Sequence, residues 1–215
     1  MSIKAFIFDL DGVLVFTDRF HYLAWKQMAD EKGIYFDEII NNRLRGVSRM
    51  DSLEIILERY EGPELSADEK LALATKKNEA YRKLLEQMTP EDVSEDVRET
   101  LAELRRRGVK ISLGSSSRNA RFILERVGLL DAFDAISDGN NITRSKPDPE
   151  VFLKAAQMLK LSPGDCLVIE DAYAGIDAAK AGGFTAVAIG DATTHEKADY
   201  RIKTFGELLK TVGLE

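Results

Sequence analysis

Cysteine occurs once in the 215 residues, at Cys166. No intramolecular disulfide can form, and a reducing compartment, the cytoplasm, is expected. Long apolar runs are also missing. No stretch approaches the roughly 20 apolar residues that a membrane-spanning helix needs. The first apolar run, Ala5 to Phe8, is too short for a secretory signal core and is broken at once by Asp9 and Asp11. Basic charge is in short supply: 30 Lys and Arg stand against 37 Asp and Glu, for a net charge of −7. That balance argues against a nucleic-acid or anionic-membrane partner, and an anionic substrate would have to be held by a few specific basic groups. No internal repeat or low-complexity segment interrupts the chain. What is present is ordinary for a globular protein, 44% hydrophobic and 31% charged. The length allows one sizeable domain, or a core domain with a smaller insert.

Five short apolar runs predict buried strands: Ala5 to Phe8, Val109 to Leu113, Phe133 to Ile136, Cys166 to Ile169 and Thr185 to Ile189. Helical spacing lies between them. Val97, Leu101 and Leu104 precede Gly108. Ile123, Leu124 and Val127 precede Gly128. Phe152, Ala155, Ala156 and Leu159 make a third stripe. Alternating strand and helix predicts an α/β fold with a Rossmann-like parallel-sheet core covered on both faces. From about Arg19 to Met88 the alternation stops. Helices read instead, through Phe20, Leu23, Ala24 and Met28, then Leu53, Ile56 and Leu57, then Leu71, Ala74, Tyr81, Leu84 and Leu85 behind a capping Ser66. The segment predicts an inserted all-helical cap domain, 17–92, on a core formed by 1–16 and 93–215. The alternative is that these helices cover one sheet face.

Ligands of an open parallel sheet bind beyond the carboxyl ends of its strands. Those ends collect Asp9, Asp11 and Gly12; then Ser115, Ser116, Ser117, Arg118 and Asn119; then Lys146; then Glu170 and Asp171. Crowded carboxylates repel one another unless a cation neutralises them, and an oxygen-only set suits Mg2+ better than zinc. A carboxylate attacks a phosphate dianion only when that repulsion is screened, which a metal and Lys146 can do. Ser115 and neighbouring backbone amides suit a phosphoryl oxygen. Gly12 lets the chain turn so that Asp9 and Asp11 face one pocket, one to attack and the other to move a proton. Taken singly, each feature has a plainer explanation: a surface Asp pair, a serine helix cap, an exposed lysine, two acidic capping residues. Four such explanations at four strand ends are less economical than one shared site.

FDLDGVL (Phe8 to Leu14), SSS (Ser115 to Ser117), SKPDP (Ser145 to Pro149) and EDAYAGI (Glu170 to Ile176) together resemble the four motifs of the haloacid dehalogenase superfamily. The resemblance implies that Asp9 becomes an aspartyl-phosphate, that Asp11 is the acid/base, and that Asp9, Asp11, Glu170 and Asp171 hold Mg2+. HYLAWK (His21 to Lys26), LRGVSRMDS (Leu44 to Ser52), KKN (Lys76 to Asn78) and SSSRN (Ser115 to Asn119) further resemble the sugar-phosphate mutases of that superfamily. This implies interconversion of β-glucose 1-phosphate and glucose 6-phosphate through glucose 1,6-bisphosphate, by a monomer. It assigns Gly46, Val47, Ser48, Arg49, Lys77, Ser116, Ser117, Arg118 and Asn119 to substrate. Thr17 and His21 join Lys77 in coupling cap closure to Asp11. Trp25 reads as cap core. Phe16, where a polar residue is usual, and Arg118, where lysine is commoner, depart from the pattern. A sugar-phosphate phosphatase is the alternative. A dehalogenase or a phosphonate hydrolase would leave Asp11 without a role, and a binding protein on a dead enzyme fold should have lost one of the charged groups.

Overall fold

A computed structural model describes residues 3–214. The five expected strands form, as β1 (Ala5–Phe8), β2 (Lys110–Gly114), β3 (Ala135–Ser137), β4 (Cys166–Glu170) and β5 (Thr185–Ala188). A sixth, β6 (Tyr200–Arg201), pairs with β5 and was not foreseen, because two exposed edge residues carry no apolar run. The order is β3-β2-β1-β4-β5-β6, with every pairing parallel. β1 therefore sits centrally, with Phe8 in register between Leu113 and Ile169.

The period of two along each strand sorts the core into two layers. Phe6 and Phe8 join Ile111, Leu113, Leu167 and Ile169 on one face. Helices α5 (Glu95–Arg106) and α6 (Ala120–Arg126) cover that face through Leu101, Leu104, Ile123 and Leu124. Ala5 and Ile7 turn to the other face with Val168 and Ala186, under α7 (Glu150–Leu159) and α8 (Tyr173–Ala181). Burial on both faces is why β1 and β4 read as continuous apolar runs instead of alternating ones.

Between β1 and α5 the described chain is helical: α1 (Asp18–Glu31), α2 (Glu38–Asn42), α3 (Arg49–Leu57) and α4 (Ala67–Leu85). These helices share an apolar cluster of their own, containing Trp25, Met28, Leu53, Ile56 and Ala74. Ser66 begins α4 with a reciprocal capping box to Glu69. Two residues read as apolar stripe are instead exposed, Leu23 and Leu71; the stripe is narrower than the spacing suggested. Among the described residues no helix is long and apolar enough to cross a membrane.

Phe6 is fully buried and stacks on Phe8 at 6.0 Å between ring centroids. Phe6→Ala is expected to lower unfolding free energy by about 3–5 kcal/mol, read from the denaturant midpoint. A loss below about 1 kcal/mol would mean that the layer beside β1 is loosely packed.

Candidate active site

Parallel strands all deliver their following loops to one edge, so residues far apart in sequence meet there. Asp9 follows β1, and its amide donates to the Ile169 carbonyl at 3.0 Å. Ser115 follows β2 and is held by the Ser137 carbonyl at 3.1 Å. Lys146 arrives from the β3–α7 connection. Glu170 is the last residue of β4, and Asp171 is next. All of them line one cavity of about 690 Å³.

The floor of the cavity is ionic. Lys146 Nζ lies 2.5 Å from Asp9 Oδ1 and 2.5 Å from Glu170 Oε1. The second Glu170 oxygen accepts from the Ala172 amide at 2.8 Å. Asp9, Glu170 and Asp171 can each bring a carboxylate oxygen within 4.8 Å of the others. Desolvation first, then their mutual repulsion, pushes Asp9 up to about 7 and Asp171 up to about 9. Burial opposes the charge on Lys146, but Asp9 and Glu170 overcome it and hold the ammonium above its usual range. One lysine neutralises one of three carboxylates, and the donors are all oxygen, so the set fits a hard divalent cation. Gly12, at φ +84°, keeps space open here: a β-carbon would fall 2.0 Å from Asp171 Oδ2.

The Asp11 side chain lies outside this group of carboxylates and accepts from the Thr17 hydroxyl, so the metal-ligand role expected of Asp11 would fall to its backbone carbonyl. The tight turn after β1, with Gly12 N bonded to the Val15 carbonyl at 2.7 Å, directs the side chain toward the start of α1. Thr17 occupies the N-cap position of α1 yet makes no capping bond, its backbone (φ −102°, ψ 3°) lying outside the extended region of a capping residue, and its hydroxyl donates to Asp11. Tyr81 of α4 donates to Thr17 at 3.1 Å. Burial raises Asp11 to about 6, against the Thr17 bond that lowers it.

Lys77 also lies inside, with Nζ 2.9 Å from His21 Nδ1 and over the rings of Trp25 and Tyr81 at 4.5 and 4.6 Å. Burial, with the Arg49 charge behind it, lowers Lys77 to about 7. His21, stacked on Tyr81 at 4.0 Å, is held well below its usual value by burial and by Lys77, so its ring is neutral and shares a hydrogen bond with the amine. Trp25 is buried in the helical cluster, as its core reading had it, and its ring also lines the cavity.

Gly46, Val47, Ser48 and Arg49 enter from the other side. Ser48 caps α3, accepting from Asp51 N at 3.2 Å. Arg49 and Arg118 make no ion pair with any described residue, which excludes the surface salt bridge that was the plainer reading of Arg49. Burial and the charge of Arg118 lower Arg49 below the usual guanidinium range. Around Ser115, its hydroxyl accepts from Ser117 N at 3.2 Å, and the Ser116 hydroxyl is buried without a partner. Asn119 is less available than expected. Its amide donates to Asn78 at 2.9 Å and accepts from Arg82 at 3.3 Å, both on the passing α4.

Three features escaped the sequence reading. Tyr81 was taken as apolar stripe, although its position four residues after Lys77 puts both on one helical face. Arg45 reaches Asp18 and, at 2.5 Å, Asp191; nothing in their separation along the chain signals it. The Asp138–Asn141 loop, packed against residues 116–118, carries no motif.

Residues 3–183 match the model of the haloacid dehalogenase-like hydrolases. A β-phosphoglucomutase from Bacillus subtilis (strain 168) is 44% identical over 207 residues, covering 95% of this chain and 91% of its own. A fructose-1-phosphate phosphatase from Escherichia coli (strain K12) is 33% identical over 183 residues, covering 84% of this chain and 93% of its own. The crystal structure of a β-phosphoglucomutase from Clostridium difficile superposes with a TM-score of 0.90 at 38% identity, covering 96% of this chain and 93% of that one. The chain belongs to the haloacid dehalogenase-like hydrolase family and is an enzyme.

The raised carboxylates give a sign to the pH dependence. In the unfolded chain Asp9 and Asp171 ionise near 3.8; in the folded one they hold protons to about 7 and about 9. Their contribution to stability is full below the unfolded value and is lost as pH rises through the folded ones. Metal-free protein is therefore expected to lose melting temperature between pH 6 and 9. A divalent cation should raise it more at pH 9, where fewer protons compete. Thermal melts in EDTA and in Mg2+ would read this. A Mg2+ increment that does not grow with pH would remove the carboxylate cluster from cation binding.

Proposed function

We propose that this enzyme is a β-phosphoglucomutase, interconverting β-D-glucose 1-phosphate and glucose 6-phosphate through a glucose 1,6-bisphosphate intermediate. The observation that carries the reading is the pair Arg49 and Arg118, two cationic side chains lining the cavity without a carboxylate partner and close enough for Arg118 to lower Arg49. Arg49 is half-buried and Arg118 exposed; two like charges left unpaired beside one another are stabilised by an anion between them, and a guanidinium grips phosphate bidentately. A mutase needs such a second phosphate site in both orientations of its intermediate; a phosphatase has less use for one.

The residues then take these roles. Asp9 attacks the transferring phosphorus and forms an aspartyl-phosphate as the bond to the sugar oxygen breaks. Asp11 gives its proton to that oxygen, which a carboxyl raised to about 6 by burial is suited to do, and takes a proton back from the next acceptor hydroxyl. Lys146 and Ser115 face the transferring oxygens. Arg49, Arg118 and the Ser116–Ser117 segment hold the other phosphate. Asp9, Glu170 and Asp171 would hold Mg2+, which supplies neutralising charge for attack by one anion on another. Residues 17–92 act as a cap over the core formed by 1–16 and 93–215, keeping water from the aspartyl-phosphate. Thr17, Tyr81, His21 and Lys77 link that cap to Asp11 through continuous hydrogen bonds and ring contacts.

The phosphatase relative supports a second outcome on the same chemistry, with water as acceptor. A coupled assay with β-glucose 1-phosphate, Mg2+ and a trace of glucose 1,6-bisphosphate separates the two. Glucose 6-phosphate with little free phosphate is expected; free phosphate alone would replace the mutase reading with a phosphatase. Asp9→Asn should lower turnover at least about a thousandfold, because it removes the nucleophile. An unchanged rate would end the covalent mechanism.

A further inference from the structure

Arg118 poses a physical problem. Without an acidic partner, its side chain can be aimed before substrate arrives only through its own backbone. That backbone is gripped by the loop that follows β3. Gly139 N donates to the Ser117 carbonyl at 3.1 Å, and Asn140 Nδ2 donates to the Arg118 carbonyl at 3.0 Å. Two consecutive carbonyls of the 115–119 loop are thus fixed from beneath by two consecutive residues.

The gripping loop is itself rigidly built. Asn140 N donates to Asp138 Oδ1 at 2.9 Å. Asp138 N donates to Asn141 Oδ1 at 3.2 Å, and Asn141 Nδ2 donates to the Ile136 carbonyl at 3.3 Å. Ser137 Oγ bonds Asn141 Oδ1 at 3.2 Å, and Lys154 of α7 donates to the Asn141 carbonyl. Asp138 is 2% exposed. The two loops also approach more closely than any residue but glycine permits. A β-carbon on Gly139 would lie 2.4 Å from the Ser116 carbonyl oxygen and 2.9 Å from Arg118 N, and both of these are backbone atoms.

We propose that Gly139 and Asn140 are positioning residues for the second phosphate site: they set the backbone of residues 116–118 so that Arg118 faces Arg49 across the cavity. This rests on the reading that these arginines hold the non-transferring phosphate. Among the described residues, no hydrogen bond or ion pair joins residues 138–141 to Asp9, Lys146, Glu170 or Asp171, so the loop's work bears on binding rather than on the chemical step. Asn140 supplies one hydrogen bond, worth about 1 kcal/mol or about fivefold in affinity. Gly139 supplies the close approach, which no side chain can replace without displacing Ser116.

The test uses full-length enzyme with Mg2+ and a fixed trace of glucose 1,6-bisphosphate and follows consumption of β-glucose 1-phosphate, counting glucose 6-phosphate and free phosphate together, so that turnover is read whether the acceptor is sugar or water. Asn140→Ala is expected to raise KM about fivefold, and Gly139→Ala about tenfold or more. Asn140→Ala should leave kcat within about twofold and the melting temperature near wild type. Wild-type KM in both variants would overturn the proposal. So would a fall in kcat at unchanged KM, which would locate the loop's influence at Asp9. Failure of the mutase reading looks different: wild-type enzyme would release only free phosphate, and KM for hydrolysis of glucose 1,6-bisphosphate, whose second phosphate would occupy the Arg118 site, would then judge whether the loop positions Arg118.

Discussion

The Lys146 ammonium, buried and shared between Asp9 and Glu170, is the interaction around which the rest is arranged. A buried carboxylate is costly, and three together are costlier. With only one lysine among them, the cluster keeps an excess of negative charge, seen in the raised Asp9 and Asp171. An assembly selected for stability alone would replace these groups with apolar ones. Their retention in the floor of a cavity is intelligible if the charge is used on a phosphoryl group and a cation.

The fold supplies the precision this demands. β1 lies between β2 and β4, so Asp9, Ser115 and Glu170 leave three adjacent strands in register. Packing on both faces of the sheet makes those strand ends stiff. The helical segment carries the remaining chemistry, and its residues show where function overrides local stability. Thr17 stands where a helix cap belongs but its backbone is not extended and it makes no capping bond, forgoing an interaction worth about 1 kcal/mol, while its hydroxyl donates to Asp11. Lys77 is buried beside a neutral histidine and two aromatic rings instead of reaching solvent. Such departures from local preference are what a site that must close around an anion would require.

The cavity therefore has two electrostatic ends. One is acidic, with a lysine to counter it. The other is basic, with Arg49 and Arg118 uncountered. A sugar carrying phosphate groups complements both, and the −7 net charge of the chain makes such a local basic patch selective against less specific anions.

The amino-acid sequence alone determined the strands of the core, the helical insert after β1, and the residues of the acidic end. These are legible because buried parallel strands read as unbroken apolar runs and because the reacting residues lie directly at their carboxyl ends. β6 was illegible, since its two exposed residues pair by backbone alone. Only the tertiary structure decided that Asp11 turns away from the carboxylate cluster to Thr17, that Tyr81 belongs to that hydrogen-bond path, and that the amide of Asn119 is taken up by α4. The same holds for the grip of Gly139 and Asn140 on residues 116–118. The physical reason is common to these cases. Strand and helix periodicity is written locally, whereas the direction of a hydroxyl or amide depends on which distant backbone or side-chain group reaches it, and chain separation carries no record of that.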